Sequence, residues 1–191
     1  MRTDEELMEL YRNGSRDAFE MLFARHHRKV IQFAFRMTGD RAKAEEAAQE
    51  TFLRIARAAS TWQPTARFTT WMYTIARRTT LNFIRDEKED GEKISIDPGE
   101  ESSNGPPAPQ LPGPSALNPE EIAWTVEIQE RFAVALGQLP ETYRSAFVLN
   151  RGDGLSYEEV ASVLGITVQA VKSRIFRARE MLMESLGELL P

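Results

Sequence analysis

The chain has 191 residues, a net charge of −5, 41% apolar residues and no cysteine. That length suits one or two small domains, and the missing cysteines exclude disulfides and thiolate metal sites. No apolar run approaches the ~20 residues of a membrane span. Met1-Arg-Thr-Asp-Glu-Glu also lacks the apolar segment of a signal peptide, so we expect a cytoplasmic protein.

In chain order, Thr3 and Glu6 form a capping box that opens a helix to about Arg12. Gly14-Ser15 breaks and recaps. Phe19, Leu22, Phe23, Val30, Phe33, Ala34 and Met37 then mark a long helix, which Gly39 ends. Asp40 caps a third helix, whose apolar stripe is Ala44, Ala47, Ala48, Thr51, Phe52, Ile55 and Ala59. The opposite face carries Glu45, Glu46, Gln49, Glu50, Leu53 and Arg54, with Leu53 apolar among polar groups. Such a face is either solvated or a partner surface. After Pro64 a fourth helix is predicted over about 68–86, with Trp71, Ile75, Thr79 and Phe83 among its apolar or small positions.

Seven of the ten prolines lie between residues 98 and 119, among glycines and after an acidic run from Asp86 to Glu101. Such a composition cannot build a core, so residues 87–118 are expected to be a flexible acidic and proline-rich linker. The chain thus divides into an N-terminal block, 1–86, and a C-terminal block, 119–191. The second block is predicted to hold helices at about 119–137, 141–150, 156–164 and 168–187. No segment alternates with period two, so the fold class is all-α, with two small helical domains.

The last two helices are the most specific feature. Ser156 with Glu159 is a capping box, Val160, Ala161 and Leu164 line one face, and Gly165 supplies a left-handed C′ position. Thr167 caps the next helix, where Val171, Ile175, Ala178 and Leu182 face inward. Lys172, Ser173, Phe176, Arg177 and Arg179 fall outside that stripe. From Thr167 to Arg179 there are basic residues, Lys172, Arg174, Arg177 and Arg179, and no acid. This is the outline of a helix-turn-helix, whose second helix enters the DNA major groove. A solvated basic face is the plainer alternative. Phe176 suits either core or a contact to base or sugar.

The segment from Trp62 to Arg78 interleaves Trp62, Phe68, Trp71 and Tyr73 with Arg67, Arg77 and Arg78. Aromatic rings stack on unpaired bases while cations follow the backbone. Taken alone, such aromatics are more often core. Pro64 makes 62–68 a loop, in which Arg67 and Phe68 are expected to capture a flipped base while Trp71 packs. His26 and His27 are adjacent and point about 100° apart, so they cannot share a metal. No nucleophile motif, metal constellation or phosphate loop appears, and neither enzyme activity nor a cofactor is expected.

On these segments the chain closely resembles the extracytoplasmic-function (ECF) sigma factors of the sigma-70 family. Gln49-Glu-Thr-Phe-Leu-Arg54 is similar to the segment that docks on the clamp helices of RNA polymerase's largest subunit. Phe68 through Arg77 is similar to the melting and minus-10-reading segment, and Leu139-Pro140 through Arg179 to region 4, which reads the minus-35 element. The resemblance implies a region-2 domain over 1–86 and a region-4 domain over 119–191. It implies polymerase docking through Glu46, Gln49, Glu50 and Leu53. Minus-10 contacts fall to Arg67, Phe68, Arg77, Arg78 and Asn82, and minus-35 contacts to Lys172, Ser173, Arg174, Phe176, Arg177 and Arg179. Many members have Asn at the position of Arg78 and Asp at that of Asn82, so no minus-10 sequence carries over. The linker would thread toward the RNA exit path, its carboxylates in a basic channel, or would simply solubilise. The implied partners are core RNA polymerase and promoter DNA. An anti-sigma factor is common in the family, but no residue here selects one. The rival readings are a stand-alone helix-turn-helix regulator and an interaction protein without DNA binding that titrates polymerase or a regulator.

Overall fold

The structure, a computed structural model, describes residues 2–64, 66–93 and 119–187. Among the described residues there are helices and turns but no strand. α1 (Asp4–Arg12), α2 (Arg16–Thr38), α3 (Arg41–Ala58) and α4 (Phe68–Lys93) form the first block. α5 (Pro119–Gln138), α6 (Glu141–Phe147), α7 (Tyr157–Leu164) and α8 (Val168–Gly187) form the second.

Local chemistry sets most of the boundaries. The Thr3 hydroxyl accepts from the Glu6 amide at 3.2 Å and the Glu6 carboxylate accepts from the Thr3 amide at 2.8 Å, closing the capping box of α1. Asp40 accepts from the Lys43 amide at 3.1 Å to start α3. Ser15 occupies the N-cap position of α2 without a side-chain hydrogen bond. It marks the boundary by its extended backbone alone, which corrects the expectation that it recaps the helix. Gly39 ends α2 at φ 74° and Gly165 ends α7 at φ 64°, where a Cβ would strain the backbone.

In the first block α2 packs against α1, α3 and α4. Its buried face is Ala18, Leu22, His26, Val30, Phe33, Ala34 and Met37. The α3 stripe Ala44, Ala47, Ala48, Thr51, Phe52 and Ile55 is buried as its spacing requires. His26 is also inside: its Nε2 lies 2.7 Å from Asp4 Oδ2, which ties α1 to α2. His27 instead stacks on Phe23 at 4.4 Å between ring centres. Among the described residues no three metal-binding side chains gather.

The fold departs from the sequence reading in three places. α4 runs to Lys93, past the expected end at residue 86. Its buried face is Phe68, Met72, Tyr73, Ala76, Thr79 and Thr80, whereas Trp71, Ile75 and Phe83 are half-buried. Of the positions named from the sequence, Thr79 is thus buried and Trp71, Ile75 and Phe83 are half-buried. The helix expected over 141–150 stops at Phe147 and widens into a π-helical segment, Val148–Gly152. A 3₁₀ turn, Ala59–Thr61, which the sequence reading did not include, leads out of α3. The expected linker beyond residue 93, and its proposed path toward RNA, lie outside the described residues.

The second block is built around α8, which packs against α5, α6 and α7. Val171, Ile175, Ala178 and Leu182 of α8 are buried, as are Val160, Ala161 and Val163 of α7. Leu164, expected on the α7 core face, is half-buried, and Val163 takes the deeper place. The two blocks share one continuous apolar core, which runs from Leu22 and Phe33 through Tyr73 to Val148 and Ile175.

Candidate nucleic-acid interface

The α8 surface follows from its buried stripe. With Val171, Ile175 and Ala178 inside, Lys172, Ser173, Phe176, Arg177 and Arg179 are exposed, and Arg174 is half-buried. Phe176 is 60% exposed, which settles its two sequence readings against core. An aromatic ring held in water on a basic helix is a contact surface in waiting. Lys172 Nζ sits over the Tyr157 ring, 5.8 Å from its centre, and so ties α8 to the start of α7. Arg177 pairs with Glu180 at 2.8 Å, one turn on, with both side chains largely in water. Such an exposed pair is weak and exchanges readily for a phosphate.

α7 is fixed beneath this helix. The Ser156 hydroxyl accepts from the Glu159 amide at 3.2 Å and Glu159 Oε2 accepts from the Ser156 amide at 2.8 Å. Thr167 accepts from the Ala170 amide at 3.2 Å and so starts α8. Two capped helices joined through a left-handed glycine present α8 as a rigid body. Its exposed cations can track phosphates, and its polar side chains can reach base edges.

The second expected site is more mixed. Arg67 is exposed on the loop before α4, but its Nη1 donates to Glu159 Oε1 at 3.1 Å. Arg77 is half-buried; its Nη2 donates to Glu141 Oε1 at 2.6 Å and its Nε to the Ser145 hydroxyl at 3.3 Å. Arg78 is exposed, and Asn82 accepts a hydrogen bond from Arg85. Arg77, Arg78, Asn82 and Arg85 line an open cleft of about 510 Å³ with Glu141 at its rim.

Phe68 corrects the sequence reading: its side chain is fully buried, between His26 and Trp71 at 5.5 and 6.1 Å. Trp62 is buried too, and packs on Trp71 at 6.4 Å. Neither ring is free to stack on a base. The Phe68 amide donates to Glu5 at 2.9 Å, so α1 helps fix the start of α4. Phe68 therefore shapes the loop from below rather than capturing a base.

On α3, Glu46 and Gln49 are exposed and Leu53 is 51% exposed, while Glu50 is half-buried and accepts from Arg54 Nε at 2.7 Å. Met21 and Phe23 on α2 are further large apolar side chains that stay exposed in this block.

The sequence reading missed the charged residues at the seam of the two blocks. Arg144 Nη1 donates to the Met37 carbonyl at 2.6 Å, and Nη2 donates to those of Leu139, at 2.9 Å, and Gly137. Burial holds its guanidinium pKa below the usual value. Arg36 pairs with Asp153 at 3.3 Å. Burial, with the Asp153 charge beside it, also raises the Tyr73 phenol pKa. No sequence pattern joins residues more than a hundred positions apart, and the local context of Asp153, Arg-Gly-Asp-Gly, reads only as a turn.

Comparison with known proteins agrees with this geometry. The Sigma-70 region 2 family matches residues 22–89 and the Sigma-70, region 4 family matches residues 129–182. The RNA polymerase sigma-H factor of Pseudomonas aeruginosa is 32% identical over 193 residues, covering 98% of this chain and 95% of that protein. The RNA polymerase sigma factor CarQ of Myxococcus xanthus is 34% identical over 182 residues, covering 95% and 97%. The ECF RNA polymerase sigma-E factor of Escherichia coli (strain K12) is 31% identical over 182 residues, covering 93% and 91%. Among solved structures, CnrH in complex with the cytosolic domain of CnrY superposes with a TM-score of 0.70 at 24% identity, covering 98% of this chain and 99% of that one. RpoE in complex with the anti-sigma factor NepR from Bartonella quintana gives 0.66 at 24% identity, covering 88% and 96%. At that identity these structures speak for the fold. With full-length relatives above 30% identity, and both regions matched in order, the chain belongs to the sigma-70 family as an ECF-type RNA polymerase sigma factor.

Proposed function

We propose that this sigma factor reads the minus-35 element with α8 and the minus-10 element with the loop and helix from Arg67 to Asn82, while α3 docks it on core RNA polymerase. The observation that carries this reading is the surface of α8. Lys172, Ser173, Phe176, Arg177 and Arg179 stand exposed in a row, on a helix whose opposite face is buried. Arg174, half-buried at the edge, can support the same groove. Arg67, Arg77, Arg78 and Asn82 would follow the non-template strand as it opens, with unstacking costing a few kcal/mol per base. Glu46, Gln49, Glu50 and Leu53 combine an exposed apolar side chain with polar neighbours, as a reversible protein contact needs.

Sigma-70 family members are initiation factors rather than enzymes, and the reading requires no chemistry from this chain. Nucleotide transfer belongs to the polymerase, and the chain supplies binding and strand separation. We place it in the cytoplasm, where its DNA and polymerase are. Among the described residues no helix is long and apolar enough to cross a membrane. An anti-sigma factor is a fitting regulator, since one of the similar solved structures, RpoE of Bartonella quintana, is in complex with the anti-sigma factor NepR.

The stand-alone regulator is less well supported, because such a protein needs no region-2 block. The test is permanganate reactivity of promoter thymines. Core polymerase with this chain should make thymines around minus 10 reactive, and neither component alone should do so. Reactivity with core alone, or protection of duplex DNA by the chain alone, would contradict the reading.

A further inference from the structure

The seam between the blocks contains a buried carboxylate with one strong partner. Asp153 leaves the π-helical segment with its side chain only 4% exposed, and its Oδ1 accepts from Arg36 Nη1 of α2 at 3.3 Å. Gly152 lets the guanidinium lie this close: a Cβ there would meet Arg36 Nη1 at 3.0 Å. The Tyr73 hydroxyl of α4 faces the same carboxylate, and Lys29 of α2 adds positive charge from further off. Oδ2 nevertheless receives no hydrogen bond of good geometry, so Tyr73 is a polar neighbour more than a full partner. Tyr73 is itself wedged against Phe33, 5.6 Å between ring centres.

Around this point, region 4 holds the cations of region 2. Glu141 takes Arg77 and Glu159 takes Arg67, while Arg144 grips the last turn of α2 through the Met37 carbonyl. Two carboxylates of the second block therefore occupy two arginines of the first. A cleft of about 370 Å³ lies between Arg67, Thr70, Ser156 and Glu158, so the two blocks do not pack tightly at this edge.

We propose that the seam is an intramolecular latch, centred on Arg36 and Asp153, that keeps the chain closed with Arg67 and Arg77 engaged by Glu159 and Glu141. Opening releases Arg67, already exposed, from Glu159 and uncovers the half-buried Arg77, freeing both for single-stranded DNA. The proposal rests on the minus-10 role given to these arginines above. The energetics favour a latch over permanent cement. A buried ion pair adds little net stability, but removing one partner strands the other charge in the interior. Closure thus depends on Arg36 staying in place. Ligand affinity falls in proportion to the closed fraction, so opening raises it without any new DNA contact.

Asp153 also makes the latch respond to pH. Burial pushes its pKa from the ordinary carboxylate value up to about 6, against the opposing pull of Arg36, Tyr73 and Lys29. The closed state then binds a proton more tightly than the open one. Closure strengthens as pH falls from about 6 toward the ordinary carboxylate range, and levels off above about 6.

The test uses the full chain. It has no native cysteine, so Glu20→Cys and Glu184→Cys on exposed sites carry a donor and an acceptor dye. Arg36→Glu sets two carboxylates together and makes the chain more negative, so added positive charge cannot explain a gain in DNA binding. It should lower energy transfer and raise affinity for a randomised single-stranded oligonucleotide roughly tenfold, if about a tenth of the wild type is open. Arg36→Glu with Asp153→Arg should restore both wild-type values. Gly152→Ala, which only crowds the guanidinium, should act in the same direction at smaller amplitude, should Arg36→Glu fold poorly. Asp153→Asn should flatten the rise in energy transfer that the wild type shows as pH falls from about 6 toward the ordinary carboxylate range. Opening without an affinity gain overturns the latch, as do energy transfer that Arg36→Glu and Gly152→Ala leave unchanged and an Asp153→Asn profile like the wild type's. Arg67→Ala with Arg77→Ala separates the two ideas. If the minus-10 reading is wrong, this variant melts promoters with core polymerase as well as the wild type does; if it holds, melting is lost whatever the latch variants show.

Discussion

Changing Lys172, Arg174 and Arg177 together to Ala should abolish transcription from promoters that depend on a minus-35 element. Each cation that makes a bidentate base contact is worth ~1–3 kcal/mol, and a phosphate contact less. If all three make such contacts, they sum to ~3–9 kcal/mol, at least about a hundredfold in occupancy. The fold should persist, because Lys172 and Arg177 are exposed and none of the three belongs to the stripe Val171, Ile175, Ala178 and Leu182. The single change Arg177→Ala separates the roles. A base contact predicts loss on promoters with one minus-35 base and little on its variants. A phosphate contact predicts uniform loss and a shallower salt dependence. Equal transcription from every minus-35 variant by wild type and Arg177→Ala would show that the wrong face of α8 was assigned.

Changing Gln49, Glu50 and Leu53 together to Ala should abolish co-purification with core polymerase. Leu53 exposes half its surface, and Gln49 is exposed beside it. Buried apolar anchors dominate interface energies, so Leu53 should carry most of the loss. The cost to the free chain is small. It removes the half-exposed pair between Glu50 and Arg54, worth a few tenths of a kcal/mol. The α3 core face, from Ala44 to Ile55, is untouched. Thermal unfolding should be nearly unchanged while gel filtration with core shows free chain. Continued association would leave this face as solvated surface.

The legible parts of the fold are those set by neighbours in sequence. Thr3 with Glu6, Asp40 with Lys43, and Ser156 with Glu159 each act across three positions, so their caps could be read directly. The inward face of α8 was equally plain, because four apolar residues recur with no polar interruption. α4 was harder. It offers two adjacent stripes, Phe68-Met72-Ala76-Thr80 and Trp71-Ile75-Thr79-Phe83, and both carry aromatic or small residues. Packing against α2 and α3 buries all of the first and only Thr79 of the second. The same ambiguity misplaced Phe68, since an aromatic beside arginines looks alike whether it faces a base or a core. The π-helical segment and the Arg36–Asp153 pair left no local signature. Both arise where two blocks distant in sequence meet.

The most direct test of the assignment as a sigma factor is in vitro transcription of fragmented genomic DNA by purified core RNA polymerase, with and without this chain, followed by sequencing of the 5′ ends. The account predicts a set of starts that requires both components, each preceded by a shared pair of elements near minus 35 and minus 10. Starts that are the same with and without the chain would contradict it.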